Sequence, residues 1–223
     1  MPRKARLHAE SGIYHVMLRG INGQQIFEDE EDNQSFLQNL REYKPICGYK
    51  LFAYCLMGNH IHLLIQEGKE SLGQVFKRIG VKYVYWYNMK YQRDGHLFQD
   101  RFKSEVVEDS AYFSTVIRYI HQNPIQAGIC NNPEEYPYSS FREYLEQSFL
   151  IDLNEVEKYI SRETVVELSR IPTTEKCLEI SSASHRGVTD QQAKQMIKKI
   201  TRGWYSRYGD LLHAPEGNYR CGF

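Results

Sequence analysis

Two histidines one residue apart, His60 and His62, lie in the segment HIHLLIQ, residues 60–66. Its short length and apolar character read as a β-strand, in which alternate side chains share a face. His60, His62 and Leu64 then point one way, and Ile61, Leu63 and Ile65 point the other, into a core. Strand geometry sets the two histidine Cα atoms roughly 7 Å apart. Two imidazoles at that spacing can converge on one divalent ion, for which imidazole is the commonest protein ligand. A bare His-x-His is common on solvated sheet faces, and two ligands do not make a metal site. A third must come from elsewhere in the fold.

The segment RYIHQNPIQAG, residues 118–128, offers one. On a helix whose buried face is Phe113, Val116, Ile117 and Ile120, Tyr119 and Asn123 are i and i+4 and lie one above the other. They fall at the border of the apolar face, with Tyr112 on the same edge two turns earlier. An ion held by His60, His62 and an amide oxygen polarises a phosphodiester, and a phenolate can then attack phosphorus. The chain has 17 tyrosines. On spacing alone Tyr112 and Tyr91 compete with Tyr119 as the nucleophile, and Asn123 reads equally as a residue that ends a helix before Pro124.

The elements that must position these groups follow from periodicity and turn residues. Gly12–Leu18 reads as a strand. A helix through Phe36, Leu37 and Leu40 follows the acidic run 28–32, with Asp32 available as its cap. Tyr49–Cys55 is a second strand, Met57-Gly58-Asn59 a tight turn in which Gly and Asn tolerate positive φ, and His60–Gln66 a third strand. Ser71-x-x-Gln74 has the capping-box pattern and opens a helix carrying Leu72, Val75, Phe76, Ile79 and Tyr83. A fourth strand is expected near Phe102–Val107. A last helix, capped by Asp109 or Ser110, is expected to end near Asn123, because α geometry is disfavoured before Pro124. The order β-α-β, β-α-β is the ferredoxin-like α+β pattern, an antiparallel sheet with helices on one face. Residues 1–150 are expected to form this domain. Residues 151–223 are expected to form a small helical C-terminal extension, with helices over 152–170 and 189–204, whose basic last helix either touches DNA backbone or simply packs on the main domain.

Composition narrows the class. An apolar content of 41% and a charged content of 25% are those of an ordinary globular protein. No apolar run approaches the roughly 20 residues of a membrane-spanning helix, so a soluble cytoplasmic protein is expected. The five cysteines are odd in number, widely spaced and without Cys-x-x-Cys, which argues for reduced thiols. Lys+Arg and Asp+Glu both number 28, so overall charge gives no support to nucleic-acid binding. From Lys77 to Lys103, seven basic residues against two acidic ones are interleaved with aromatics. That mixture suits a single strand, and serves equally as a solvated helix face over a core.

Five segments taken together carry a family resemblance: GIYHVMLRG at 12–20, LMGNHIHLLI at 56–65, GHLFQDRFKS at 95–104, RYIHQNPIQAG at 118–128 and YPYSSFREY at 136–144. In this order and spacing they resemble the single-tyrosine HUH transposases (histidine, hydrophobe, histidine), and most closely the REP-associated tyrosine transposase branch. The likeness covers roughly residues 5–145 and leaves the region after 150 unmatched. It implies a ferredoxin-like domain that cuts and rejoins single-stranded DNA at hairpin-flanked sites. It implies Mg²⁺ or Mn²⁺ on His60, His62 and Asn123, and Tyr119 as the nucleophile, giving a 5′-phosphotyrosine and a free 3′-hydroxyl. His15, Arg19, Arg101 and Lys103 become candidate DNA contacts. Both monomers and tyrosine-helix-swapped homodimers are compatible with the resemblance.

Three other functions share features of the sequence. A non-catalytic hairpin-DNA-binding protein derived from a transposase needs the same surface but not Tyr119. A metal-dependent phosphodiesterase using water needs the histidines but not the tyrosine. A ferredoxin-like RNA-binding domain presents aromatics on the sheet face that the histidines occupy here.

Overall fold

The computed structural model describes residues 8–173 and Cys177. The chain divides into two units, Met1–Glu179 and Ile180–Phe223, and all described residues belong to the first. The loop expected around SSASHRG and the basic helix expected over 189–204 lie outside the described residues.

Four strands, β1 (Ile13–Arg19), β2 (Lys50–Met57), β3 (His60–Gln66) and β4 (Lys103–Val106), form one sheet in the order β2-β3-β1-β4. All three pairings are antiparallel. With α1 (Glu30–Cys47) between β1 and β2, and α2 (Leu72–Tyr91) between β3 and β4, this is the expected ferredoxin-like α+β fold. Register fixes the faces. His60 and His62 share one with Met57, Cys55, Met17 and Arg19, and further along with His15, Lys103 and Glu105. The opposite face carries Val16, Leu18, Ile61, Leu63 and Ile65, all buried. Truncating a buried leucine such as Leu63 to alanine costs roughly 2–5 kcal/mol.

α1 and α2 pack on each other and fill the core with Phe36, Leu40, Val75, Ile79 and Tyr83. α1 begins at Asp29, not Asp32. The Asp29 side chain accepts from the Asp32 amide, and Asp32 returns the bond to Asp29, a reciprocal box that satisfies two end amides. Ser71 stands at the start of α2 but makes no side-chain cap bond. The Leu72 amide donates instead to Glu67 Oε1 at 2.8 Å.

α3 (Ser110–Gln126) lies on the histidine face, against β2 and β3. Asp109 caps it, accepting from the Tyr112 amide at 2.7 Å. The helix runs past Asn123 through Pro124 and closes where the Ala127 amide meets the Asn123 carbonyl. Proline in a last turn forfeits one bond. Packing outweighs the pre-proline preference, since the helix is held between the sheet and short helical segments from later in the chain.

Three short helices follow in the chain, α4 (Phe141–Leu145), α5 (Leu153–Val156) and α6 (Arg162–Arg170). The single helix expected over 152–170 is thus two short ones, with Ser161 capping the second through the Thr164 amide. α5 packs on β2, and α6 packs on α3 and α4. Cys47, Cys55, Cys130 and Cys177 are reduced thiols in no disulfide, as expected, three of them buried. Among the described residues no helix is long and apolar enough to cross a membrane.

Candidate active site

β2 and β3 are joined by Gly58 and Asn59 alone. The turn is where it was expected, but neither residue has positive φ. The close neighbour of Gly58 is the tip of the Gln25 side chain. A Cβ there would lie 2.2 Å from Gln25 Oε1, and the Gly58 carbonyl accepts from the amides of Ile26 and Phe27 at 2.7 and 3.1 Å. The hairpin is thereby pinned to the loop after β1, which fixes Asn59 and so His60.

Asn59 Nδ2 donates to the Gly23 carbonyl at 3.3 Å, and its Oδ1 lies 2.7 Å from His60 Nδ1. With Oδ1 an acceptor, Nδ1 of His60 carries the proton and Nε2 keeps its lone pair. That lone pair faces Asn123 Oδ1 at 3.5 Å, while Asn123 Nδ2 is buried without a partner. His62 is edge-on to His60 with ring centroids 5.0 Å apart, and Tyr119 is edge-on to His62 at 5.4 Å. His60, His62, Asn123 and Tyr119 therefore meet within one chain, β3 supplying two and α3 the others.

Burial tunes the imidazoles. Desolvation, with a smaller push from the Arg19 charge and an opposing contribution from Asn123, lowers His60 to about 4. His62 is held well below its ordinary value by desolvation, then by His15 and His60. Both rings are neutral near pH 7, the state a metal ligand needs. His60 Nε2 and Asn123 Oδ1 can both offer lone pairs to a shared cation; without one, the amide turned over donates Nδ2 to Nε2. Adjacent ligands at about 2.1 Å from a divalent ion stand roughly 3 Å apart, near the observed 3.5 Å. Among the described residues no group of three His, Cys, Asp or Glu side chains is arranged for a metal. The donors that do come together here are two imidazoles and one amide.

The rival tyrosines sit elsewhere. Tyr91 belongs to α2, where its hydroxyl lies 2.9 Å from Asp32 Oδ2. Tyr112 is hydrogen bonded to Glu105, and burial pushes its phenol far up. Of the four candidate DNA contacts, Arg19 stands opposite His60 across β1 and β3, half-buried. Lys103 is exposed on the histidine face and Arg101 is exposed just before it. His15 is not at the surface. It is 0% exposed, with Nε2 3.0 Å from His62 Nδ1 and its ring against Tyr119. A direct DNA contact by His15 is excluded by that burial. Strand parity sets His15 on the histidine face with Arg19, and neither its burial there nor its partner was readable from the strand.

The basic stretch 77–103 also reads differently in three dimensions. Arg78 pairs with Glu70, Lys82 with Glu42, and Lys90 with Asp29, Glu31 and Asp32. Tyr83 and Tyr87 are core residues. Acids from outside the stretch pair with three of its seven basic residues, and its aromatics mainly serve packing.

Behind α3, a row of bonds ties it to α6 and the residues beyond. His121 Nδ1 and Nε2 meet Ser169 Oγ and Ser140 Oγ, both at 2.8 Å. The Gln122 side chain donates to the Ser169 carbonyl, Arg118 Nε to the Ile171 carbonyl at 3.1 Å, and Gln126 Nε2 to the Thr173 carbonyl at 3.0 Å.

A ferredoxin-like sheet with a His-hydrophobe-His strand, faced by a helix bearing tyrosine and asparagine, defines the class structurally. Residues 8–123 match the model of the IS200-like transposases, more than half of the 223-residue chain, and the chain belongs to that family. It is 30% identical over 113 residues to a Haemophilus influenzae protein assigned as a REP-associated tyrosine transposase. That alignment covers 44% of this chain and 64% of the relative, so the chain spans less than two thirds of the relative's length. The fold matches the solved structure of a REP-associated tyrosine transposase bound to a REP hairpin, with a TM-score of 0.57 and 15% identity over 68% of this chain and 94% of that one. The family resemblance drawn from the motifs is borne out.

Proposed function

We propose that this protein is a metal-dependent single-stranded-DNA endonuclease and strand transferase, a transposase acting beside DNA hairpins. The carrying observation is the meeting of His60, His62 and Asn123 with Tyr119 on one sheet face. His60 Nε2, His62 Nε2 and Asn123 Oδ1 would hold Mg²⁺ or Mn²⁺. Such an ion, when bound, withdraws charge from a phosphate oxygen and makes phosphorus electrophilic.

The chain's own residues do the rest. Asn59 holds His60 with its lone pair outward, and α3 holds Tyr119 beside His62. The Tyr119 oxygen attacks phosphorus, forming the Tyr–O–P bond as the P–O3′ bond breaks. The phenolic proton is lost to solvent, and the departing 3′-oxygen takes one up. The products are a 5′-phosphotyrosine and a free 3′-hydroxyl. Because bond energy is retained, attack by a second 3′-hydroxyl reverses the step and rejoins a strand. Arg19, beside His60, and Lys103 and Arg101, along the same edge, are suited to hold phosphates. The hairpin in the matched complex supports a similar partner here. Tyr119 is the tyrosine whose ring lies against His62, whereas the Tyr91 hydroxyl lies on Asp32 and that of Tyr112 on Glu105.

The test is incubation of the full chain with labelled single-stranded hairpin DNA and Mn²⁺, read on a denaturing gel. A covalent adduct is expected that disappears with Tyr119→Phe, with His60→Ala and with chelator. Tight hairpin binding with no adduct under any condition would favour the non-catalytic binding protein. Cleavage that persists in Tyr119→Phe would favour a water nucleophile.

A further inference from the structure

Two buried polar atoms in the described part of the chain lack partners and belong to residues directly opposite each other on neighbouring strands. They are His15 Nδ1 and Glu105 Oε2. β1 and β4 pair His15 with Glu105, on the face that carries the metal-ligand candidates. Directly opposite residues have Cβ atoms about 4.5–5.5 Å apart. That is within reach of a glutamate side chain, directly or through one water molecule. His15 already touches His62 through its other nitrogen, Nε2 to Nδ1 at 3.0 Å. Tyr112 bonds to Glu105 and orients the carboxylate.

We infer that Glu105 and His15 form a relay that sets the tautomer of His62, making both of them positioning residues for the metal-binding edge. The protons decide it. The His15–His62 contact has two neutral versions. If His15 Nε2 carries the proton, His62 Nδ1 accepts, and the His62 proton moves to Nε2, where it blocks coordination. If His15 Nδ1 carries the proton, His15 Nε2 accepts from His62 Nδ1–H, and His62 Nε2 is left with a lone pair. A carboxylate opposite His15 Nδ1 selects the second version, because it pairs an otherwise orphaned donor with an otherwise orphaned acceptor. The chain Glu105 ← His15 ← His62 does for the second histidine what Asn59 does for the first. Outer partners of this kind fix ring orientation and raise ligand basicity.

The inference rests on the reading of His60 and His62 as metal ligands, and the experiment separates the two. Long-range ¹H–¹⁵N NMR on ¹⁵N-histidine-labelled, metal-free full chain reports each ring's tautomer. Nδ1–H is expected on both His15 and His62, with His62 moving toward Nε2–H in Glu105→Leu. Mn²⁺ affinity, read by electron paramagnetic resonance, is expected to fall about 10–100-fold in His15→Phe and Glu105→Leu. Part of it should return in His15→Gln, which keeps an acceptor near the Nε2 position. An Nε2–H tautomer on His62 in the wild type overturns the relay, and needs no variant to fold. So does unchanged Mn²⁺ affinity in a folded Glu105→Leu protein. Wild-type chain that shows the expected tautomers but binds no Mn²⁺ would leave the relay standing and remove the metal reading instead.

Discussion

Asn123 Oδ1 stands 3.5 Å from His60 Nε2, acceptor to acceptor, across 63 residues of sequence. A cation between them uses both lone pairs, whereas without one the amide turned over lets Nδ2 donate to Nε2. Asn123→Ala should weaken Mn²⁺ binding by about tenfold or more, in line with losses at outer-shell positions. Asn123→Asp, which adds a negative charge to the donor set, should tighten it. Titration of the two variants measures both. Equal affinity in wild type and Asn123→Ala would remove Asn123 from the donor set.

Metal should also appear as stability. A ligand at 100 times its Kd adds about 2.7 kcal/mol, which for a domain of this size raises Tm by roughly 5–10 °C. Calorimetry with and without Mn²⁺ should show that rise in wild type and its loss in a His60→Ala, His62→Ala double variant. Chelator should return wild type to the metal-free value.

Because Tyr119 and the histidine pair meet in one chain, cutting should not need a shared site. Mixing Tyr119→Phe protein with His62→Ala protein should give no adduct, since neither holds a complete set. An adduct restored by mixing, with a molar mass in solution twice that of one chain, would mean that α3 is exchanged between two subunits.

Acid should destabilise the domain from about pH 6.5 downward. Burial lowers His15 and His121 to about 3 and His60 to about 4, and lowers His62 as well. In the unfolded chain these rings titrate near 6.5. Below that value the unfolded state binds more protons, so stability falls as pH falls until the folded values are reached. Each ring contributes about 1.4 kcal/mol per pH unit across the window. Urea titrations at stepped pH should show the slope. His121→Leu, away from the metal edge, should reduce it by one ring's share, at the cost of two lost hydrogen bonds.

The bonds behind α3 give a further test. Ser169→Ala removes a partner of the buried His121 Nδ1, and an unsatisfied buried group costs about 1–3 kcal/mol. Hydrogen exchange should quicken in α3 before it does in β1 or β3. Uniform quickening across the sheet would show that α6 does not support α3 selectively.

Much of this was legible in the residues. The alternation in 60–66 placed both imidazoles on one face, and i,i+4 spacing put Tyr119 over Asn123. What local patterns could not supply was anything decided across the sheet. The inward position of His15 depends on which residues β1 meets on β3 and β4, and its partner Glu105 is far away in sequence, on β4. The pairing of three bases in 77–103 depends on acids from α1 and the loop after β3. Pro124 predicted a helix end that packing overrode, and the Gly58 turn was placed correctly but forms without the positive φ on which the expectation rested.

The row of bonds from Arg118, His121, Gln122 and Gln126 to residues 169–173 places the tyrosine between two supports. Sheet, tyrosine helix and brace then rise and fall as one cooperative body. Heating should not produce a window in which the domain is folded but the nucleophile has drifted away. Inactivation and melting should share one temperature.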